Sequence, residues 1–252
     1  MNSYIPRLRM FAGPNGSGKS TIKTLLAPEL LGAYINPDEI QKSIEANGLC
    51  DLSLFGIDVL HQDVREFFHS SALIERAGLK EVAKSIDVED ETRIRFSHID
   101  GQKNAYLASV MADFVRKELL HTKGTFTFET VMSSPDKVAL LQRAKQTGYR
   151  TYLYFIATED PEINISRVRA RVQLGGHDVP TDKIVSRYWR SIDLLVPAIR
   201  ETNRAYIFDN TGASLTWIAE ITDGRDVELK SDRMPAWFQH HVWNKVEKKD
   251  ES

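Results

Sequence analysis

The sequence predicts an α/β fold of three layers, in which a central parallel sheet of about five strands is covered by helices on both faces. Two observations carry this prediction. Short apolar segments alternate with helical patterns along most of the 252 residues, and such alternation is typical of parallel sheets. A glycine-rich segment follows the first of the apolar segments and leads directly into a helical pattern, which is the context of a phosphate-binding loop.

Five segments are predicted strands because they are short, apolar and rich in aromatic or β-branched residues. They are 8–12, 33–35, 125–128, 149–157 and 205–208. Helices are predicted at 20–26, 38–46, 135–146, 161–174 and 181–203. Pro197 interrupts the last of these patterns, so a kink is expected there. All of these elements are assigned to a single domain over residues 1–252.

The glycine-rich segment fits the pattern G-x-x-x-x-G-K-[ST] and consists of Gly13, Pro14, Asn15, Gly16, Ser17, Gly18, Lys19, Ser20 and Thr21. Its glycines allow backbone N–H groups to turn toward phosphate oxygens, and the N-terminus of the next helix favours the same anion. Lys19 is expected to bind the β- and γ-phosphates, and the Ser20 hydroxyl is the expected protein ligand of Mg²⁺. The sequence therefore predicts that the protein binds a nucleoside triphosphate.

Acidic residues follow two of the predicted strands and are expected at the carboxyl edge of the sheet, where ligands of such folds bind. Asp38 follows the second strand, where it would either accept a proton from an attacking hydroxyl or cap the next helix. Glu129 follows the third strand, and three roles are open: an acceptor contact, the acid that holds a Mg²⁺-bound water, or a surface charge. Thr130 adds a hydroxyl suited to a polar acceptor.

Arginines flank a pair of glycines on two predicted helices, at Arg167, Arg169, Arg171, Arg187 and Arg190. The region 163–190 is predicted to be a lid that neutralises charge on a transferred phosphoryl group and excludes water. Solvated helix faces are the alternative for any single arginine. His177, in the loop between the two helices, is a candidate lid contact.

The segment 47–121 has no strong strand pattern and is predicted to be a helical insertion, with helices at 58–77 and 102–121 around a charged stretch at 87–95. It either shapes an acceptor pocket or covers one edge of the sheet. The segment 214–252 is predicted to form a hairpin and a tail, with Trp237, Phe238 and Trp243 as packing or interface residues rather than a ligand site. The turn Asp209, Asn210, Thr211 and Gly212 is either an adenine contact or a plain turn.

Composition limits the class of protein. The net charge of −2 argues against a protein that coats nucleic acid, and no run of about 18 apolar residues predicts a membrane span. The N-terminal residues lead straight into the first predicted strand, so no signal peptide is expected. The single Cys50 is expected to be a packed thiol in a reducing cytoplasm. No pattern of Cys and His predicts a structural zinc site.

Taken together, the motifs GPNGSGKST, INPDEI, FTFET, RVRARVQLGGHDVP followed by RYWRS, and FDNTG resemble the zeta toxin/UDP-N-acetylglucosamine kinase family of P-loop proteins. Their order and spacing cover most of the chain outside 47–121. The phosphate-binding loop alone is generic, whereas the string with GGHDVP is far more specific. Within this family the chain resembles in particular the chromosomal branch described as predicted ABC-type ATPases.

The resemblance implies a P-loop kinase-like fold that uses Mg²⁺-ATP. It implies that the γ-phosphate is transferred to a sugar hydroxyl of UDP-N-acetylglucosamine or a related nucleotide sugar, with an antitoxin protein as a possible partner. Two alternatives are a kinase of nucleic-acid 5′-hydroxyl ends and a non-catalytic ATP-binding regulatory module.

The resemblance also implies roles for individual residues. The expected ligands of the phosphates and Mg²⁺ are Lys19 and Ser20, and the expected base is Asp38. The acceptor is expected near Glu129 and Thr130, and the lid arginines are expected to be Arg171 and Arg187.

Overall fold

A computed structural model describes residues 4–58, 61–84, 86–96, 101–176 and 178–246. The chain divides into two compact units. The first combines Met1–Leu30 with Glu129–Ser252, and the second is Leu31–Phe128. The predicted insertion at 47–121 belongs to the second unit, whereas the phosphate-binding loop and the arginine-bearing helices belong to the first. The assignment of the whole chain to a single domain stays a prediction.

The strands are Arg7–Ala12 (β1), Ala33–Ile35 (β2), Leu49–Asp51 (β3), Asp87–Val88 (β4), Arg93–Arg95 (β5), Phe126–Thr130 (β6), Arg150–Ala157 (β7), Arg204–Asp209 (β8), Thr216–Thr222 (β9) and Asp226–Leu229 (β10). The α-helices are Pro28–Leu31 (α1), Pro37–Asn47 (α2), His61–His69 (α3), Ala72–Arg76 (α4), Lys80–Lys84 (α5), Gly101–Thr122 (α6), Asp136–Gln146 (α7), Pro161–Gln173 (α8), Thr181–Asp193 (α9), Leu195–Arg200 (α10), Ala236–Phe238 (α11) and Asn244–Val246 (α12). Two 3₁₀ helices, Lys19–Leu25 and Leu52–Phe55, and a π-helical turn, Gln239–Trp243, complete the described structure.

The sheet of the first unit confirms the α/β prediction. Its core is parallel, because β7 pairs in parallel with β1 on one side and with β8 on the other. β9 and β10 extend the sheet beyond β8 in the antiparallel sense and form the predicted hairpin. Met10, Leu153 and Ala205 lie side by side in register, and all three are fully buried. This row of apolar side chains forms the centre of the unit's core.

The arginine-bearing helices α8 and α9 share a small core of their own. Ile165 and Val168 of α8 pack with Ile184 of α9 and with Val179 from the connecting segment. Because Val179 is buried in this cluster, the connection is anchored to the two helices close to its C-terminal end.

The predicted helix at 181–203 is instead two helices. α9 and α10 are separated at Leu194. The break follows from Pro197, which lacks an N–H and whose ring is incompatible with a helical bond to the carbonyl of Asp193. The proline therefore divides the helix, where the sequence analysis expected a kink.

The second unit contains a short parallel pair of strands and a larger helical part. β2 pairs in parallel with β6, and the buried Thr127 hydroxyl donates a hydrogen bond to the Leu31 carbonyl at 2.6 Å. The predicted helix at 102–121 is α6, which packs against α2. The predicted helix at 58–77 is divided into α3 and α4. Residues 59 and 60 of that prediction lie outside the described part of the chain.

The insertion also contains three strands that the sequence analysis did not predict. β3, β5 and β4 form an antiparallel sheet in that order. Each strand has two or three residues and buries only one, namely Cys50, Val88 or Ile94. A segment of two or three residues is too short to show the alternation of apolar and polar residues from which a strand is predicted.

The tail of the chain is part of the first unit, and two of its aromatic residues are packing residues as predicted. Trp237 and Phe238 are buried, and the Trp237 indole donates a hydrogen bond to the Asp209 carboxylate at 2.9 Å. The Thr211 hydroxyl donates to the same oxygen at 2.7 Å. Asp209 therefore ties the end of β8 to the tail. Among the described residues, no helix is both long enough and apolar enough to span a membrane.

The removal of the Asp209 carboxylate should destabilise the first unit. We expect Asp209→Ala to lower the free energy of unfolding by about 2–4 kcal/mol, because the buried Trp237 indole and the Thr211 hydroxyl lose their acceptor. Urea denaturation followed by fluorescence measures this. Asp226→Ala is the control, since Asp226 is exposed on β10 and its loss should change stability by less than about 0.5 kcal/mol. Equal effects of the two substitutions would contradict the assigned role of Asp209.

Cys50 should be unreactive in the folded protein. Burial, followed by the negative charge of Asp51, raises the pKa of the Cys50 thiol to about 12, and the thiolate is the reactive form. We therefore expect almost no labelling by iodoacetamide at a pH of about 8 in the native protein, far below that pKa, and complete labelling in urea. Rapid labelling of the native protein, measured by mass spectrometry of the intact chain, would show that the thiol is accessible.

Candidate phosphate-binding site

The loop between β1 and the first 3₁₀ helix has the backbone that its glycines permit. Gly13, Gly16 and Gly18 have φ angles of 146°, 76° and 97°, which residues with a Cβ rarely adopt. The Ser17 N–H donates to the Pro14 carbonyl at 3.2 Å and closes a turn inside the loop. The residues that fit the motif thus also adopt the curled backbone that a phosphate-binding loop requires.

Neighbouring segments pack closely against each of these glycines. A Cβ on Gly13 would lie 2.1 Å from the Ile156 carbonyl oxygen. A Cβ on Gly16 would lie 2.6 Å from the Asn164 carbonyl oxygen, and one on Gly18 would lie 2.5 Å from the side-chain nitrogen of the residue after β8, Asn210. No larger residue fits at these three positions without movement of the surrounding backbone or side chain.

Lys19 and Thr21 bond back to the loop that precedes them. The Lys19 ammonium group donates to the carbonyl oxygens of Gly13 and Pro14 at 2.9 and 3.0 Å. The Thr21 hydroxyl donates to the Gly18 carbonyl at 2.6 Å. The predicted helix at 20–26 is present as the 3₁₀ helix Lys19–Leu25. Lys19 is thus held beside the loop, in a position to meet an anion bound there.

Ser20 and Glu129, two residues singled out from the sequence, lie together in the structure. The Ser20 hydroxyl oxygen is 3.5 Å from one carboxylate oxygen of Glu129. Ser20 is in the first turn of the 3₁₀ helix after the loop, and Glu129 is the second-last residue of β6. A hydroxyl and a carboxylate at this separation offer two oxygen atoms beside the phosphate-binding loop, the type of donor that Mg²⁺ prefers.

The chain after Glu129 has an unusual backbone. The Thr130 hydroxyl accepts a hydrogen bond from the Met132 N–H at 3.0 Å. Met132 is fully buried and has a φ angle of 53°, which is uncommon for a residue with a side chain. The Ser191 hydroxyl of α9 donates to the Val131 carbonyl at 2.8 Å. The segment that carries Glu129 and Thr130 is therefore fixed to α9.

A second set of buried polar groups joins α9 to the phosphate-binding loop. The Tyr188 hydroxyl donates to the Thr158 carbonyl at 2.6 Å. The Thr158 hydroxyl donates to the side-chain oxygen of Asn164, whose amide nitrogen donates to the Asn15 carbonyl at 2.6 Å. Burial raises the pKa of Tyr188 well above its usual value, so its hydroxyl stays protonated and keeps its role as a donor.

The two arginines implied by the resemblance lie on packed helices. Arg171 is exposed near the end of α8, and its carbonyl accepts a hydrogen bond from the Gly176 N–H at 2.9 Å. Arg187 is half-buried on α9, next to Tyr188.

The other residues of the predicted lid differ in their surroundings. Arg167 is on α8, and its guanidinium donates to the Gly212 carbonyl at 3.4 Å. Arg169 and Arg190 are exposed to solvent on their helices. His177, the candidate lid contact, lies outside the described residues.

Asp38 belongs to the second unit, in the first turn of α2. The cap of this helix is Asn36, whose side chain accepts a hydrogen bond from the Asp38 N–H at 2.9 Å. From the sequence, Asp38 itself was a candidate for the cap of this helix. Because Asn36 fills that position, the exposed carboxylate of Asp38 is not the N-cap group.

The polar residues that support the loop were not predicted from the sequence. Asn210 was predicted only as part of an adenine contact or a plain turn, and Thr158, Asn164 and Tyr188 were not predicted to be functional. A signal for Asn164 exists, because this residue lies four positions before the apolar Val168 and therefore on the same face of α8, and both are buried. The pattern alone does not say which atoms such a side chain contacts.

Comparisons with known proteins identify a family. A family model described as Zeta toxin matches residues 90–216. An uncharacterized protein of Haemophilus influenzae is 33% identical over 63 residues, which are 25% of this chain and 45% of that protein. This chain thus matches less than half the length of that curated relative.

Solved structures show the same fold at low identity. The complex AvrRxo1-ORF1:AvrRxo1-ORF2 with sulphate ions has a TM-score of 0.55 at 15% identity, over 97% of this chain and 64% of that one. The same complex with ATP has a TM-score of 0.54 at 16% identity, with the same coverage. A structure of the PezAT chromosomal toxin–antitoxin system of Streptococcus pneumoniae has a TM-score of 0.51 at 16% identity, over 100% of this chain and 85% of that one.

The family match extends over half of the chain and includes Glu129, both arginine-bearing helices and the turn after β8. The structural similarity extends over nearly all of it. Both agree with the motifs identified from the sequence and with the α/β fold. The chain belongs to the zeta toxin family.

Proposed function

We propose that this protein is a cytoplasmic, ATP-dependent kinase that transfers the γ-phosphate to a hydroxyl group of a small molecule, and that the acceptor is a nucleotide sugar such as UDP-N-acetylglucosamine. The observation that carries the proposal is the pairing of Ser20 with Glu129 at 3.5 Å beside the phosphate-binding loop. A loop that binds phosphate, with oxygen donors for a divalent cation next to it, is the arrangement that phosphoryl transfer requires.

The donor set fits Mg²⁺. Ser20 supplies a hydroxyl oxygen and Glu129 a carboxylate oxygen, and neither is a soft ligand that would favour zinc or copper. When bound, the ion would neutralise charge on the β- and γ-phosphates. Lys19 would add its positive charge to the same phosphates from the side of the loop. The resemblance to the family and the structure with ATP of a similar protein support ATP as the donor.

Asp38 is the proposed general base. Its carboxylate is exposed and does not cap α2, since Asn36 does so, and it occupies the position of the base in the family that the chain resembles. A carboxylate that accepts the acceptor hydroxyl's proton during transfer is the usual base in such kinases. Thr130 is proposed to contact the acceptor, together with the carboxylate oxygen of Glu129 that does not face Ser20.

Arg171 and Arg187 are proposed to stabilise the transferred phosphoryl group. Both belong to the α8–α9 pair, within the predicted lid at 163–190. Guanidinium groups neutralise the charge that spreads over the phosphoryl oxygens in the transition state. A closed lid would also exclude water and so suppress wasteful hydrolysis of ATP.

An antitoxin is the proposed protein partner. Two of the similar solved structures are complexes of ORF1 with ORF2, and a third is described as a chromosomal toxin–antitoxin system. A kinase that consumes a nucleotide sugar would need such control, because unrestrained phosphorylation would deplete a metabolite that the host cell uses.

The kinase proposal is tested by incubation of purified protein with Mg²⁺-ATP, with and without UDP-N-acetylglucosamine. We expect a sugar nucleotide about 80 Da heavier, the mass of one phosphoryl group, detected by mass spectrometry. Asp38→Ala should abolish this product while ATP still binds, because only the base is removed. Lys19→Ala should abolish both the product and tight ATP binding.

Other outcomes would select the alternatives. ATP binding without a modified sugar nucleotide would reject this acceptor and direct the search to other metabolites and to nucleic-acid 5′-hydroxyl ends. If the Asp38→Ala variant has the same effect on the cell as the wild-type protein, a non-catalytic regulatory module would be favoured. Absence of ATP binding in the wild-type protein would reject the kinase proposal as a whole.

The proposed metal site predicts an altered Mg²⁺ dependence. Ser20→Ala should raise the Mg²⁺ concentration for half-maximal activity by about tenfold or more, because it removes an oxygen donor. Thr24→Ala is the matched control: its hydroxyl lies about one turn further along the same 3₁₀ helix and bonds to the Thr21 carbonyl. The same Mg²⁺ dependence in both variants would contradict the assignment of Ser20.

A further inference from the structure

Two asparagine side chains hold the phosphate-binding loop from outside. The amide nitrogen of Asn164, on α8, donates to the Asn15 carbonyl at 2.6 Å. The amide nitrogen of Asn210, after β8, donates to the Ser17 carbonyl at 2.8 Å. The two contacts involve the carbonyl groups of Asn15 and Ser17, which are two residues apart in the loop. Both asparagines are far from the loop in the sequence.

These contacts fix the orientation of two peptide units. In a trans peptide the carbonyl of one residue and the N–H of the next point in opposite directions. An amide that holds the Asn15 carbonyl toward α8 therefore directs the Gly16 N–H away from α8. The amide of Asn210 does the same for the Gly18 N–H by holding the Ser17 carbonyl. Successive N–H groups that point to one side form the concave surface that binds an anion.

Steric contacts restrict the same two peptide units. Gly16 approaches the backbone of Asn164 so closely that a Cβ would lie 2.6 Å from its carbonyl oxygen. Gly18 approaches the side chain of Asn210 just as closely, because a Cβ would lie 2.5 Å from the amide nitrogen. Each glycine thus allows the loop to approach one of the two asparagines, namely the backbone of Asn164 and the side chain of Asn210.

Each asparagine is itself held in place. The side-chain oxygen of Asn164 accepts a hydrogen bond from the Thr158 hydroxyl, and the carbonyl of Thr158 accepts one from the Tyr188 hydroxyl. Asn164 is fully buried, so its amide has no competing water. Asn210 is fixed by its backbone, because its N–H donates to the Ala157 carbonyl at 2.8 Å. The side chain of Asn164 and the backbone of Asn210 are therefore held by the fold without a ligand.

We propose that Asn164 and Asn210 are positioning residues that orient the Gly16 and Gly18 N–H groups toward the phosphates of the nucleotide. This inference rests on the proposed function, because it assumes that the loop binds ATP. Asn164 and Asn210 would therefore contribute to the affinity for the nucleotide without contacting it. The buried hydrogen bonds that hold Asn164 also link the arginine-bearing helix α9 to the loop.

The test compares Asn164→Asp and Asn210→Asp with Asn203→Asp. The change from amide to carboxylate keeps the shape of the side chain but replaces the donor with an acceptor, which repels the loop carbonyl. Asn203 is the control because it also bridges two segments: it lies just before β8, and its side-chain oxygen accepts from the Thr151 N–H at 3.0 Å. Its substitution should leave the loop unaffected.

Two measurements are made on each full-length variant below its melting temperature. Hydrogen–deuterium exchange of the peptide that covers residues 11–22 reports the protection of the loop N–H groups, with no ligand present. Calorimetric titration with Mg²⁺-ATP reports affinity. We expect faster exchange of this peptide and about tenfold or greater loss of affinity in Asn164→Asp and Asn210→Asp, and neither change in Asn203→Asp.

Tyr188→Phe is a smaller change in the series of hydrogen bonds that runs from Tyr188 through Thr158 to Asn164. It removes one hydroxyl at a distance from the loop and should produce a smaller loss of ATP affinity in the same direction. Unchanged loop exchange in both asparagine variants would overturn the inference, as would equal effects in Asn203→Asp. If the wild-type protein does not bind ATP, the proposed function fails, whereas the exchange data still decide whether the asparagines position the loop.

Discussion

The structure depends on a phosphate-binding loop whose backbone conformation is available almost only to glycine. Gly13, Gly16 and Gly18 adopt positive φ angles, and each is in close contact with a different neighbouring group. Such a loop has little apolar surface to bury and cannot hold its shape by itself. It is held by the end of β7, by α8 and by the turn after β8, so its conformation depends on the positions of those elements.

The arginine-bearing helices contribute to holding the loop, in addition to the chemistry proposed for their arginines. α8 and α9 share a small apolar core, and polar side chains of the pair reach the elements around the loop. Tyr188 bonds to the segment after β7, while Ser191 bonds to the segment after β6. Arg187 is adjacent to Tyr188 in sequence, so its position is tied to the same contacts. The residue proposed for phosphoryl transfer and the residues that hold the segments around the loop therefore share a single helix.

Much of the fold followed from local patterns. All five predicted strands are present, and Pro37, Pro161 and Gly48 lie at helix ends where such residues are favoured. The errors have local causes. The helix at 181–203 is divided because Pro197 ends the helical hydrogen bonds, and the three strands of the insertion are too short to show a period. The candidate site was predicted in part: the loop came from a motif, and Glu129 from its place after a strand.

The sequence by itself determined the order of the main strands and helices and the identity of the phosphate-binding loop, because these depend on residues that are close together in the chain. Only the tertiary structure decided which distant side chains meet. Ser20 and Glu129 are 109 residues apart, and Ser17 and Asn210 are separated by 193. A hydrogen bond requires particular atoms at a particular distance, and no local pattern encodes that over such separations. The pairing of β7 with both β1 and β8, for example, brings Asn210, which follows β8, to the loop that follows β1.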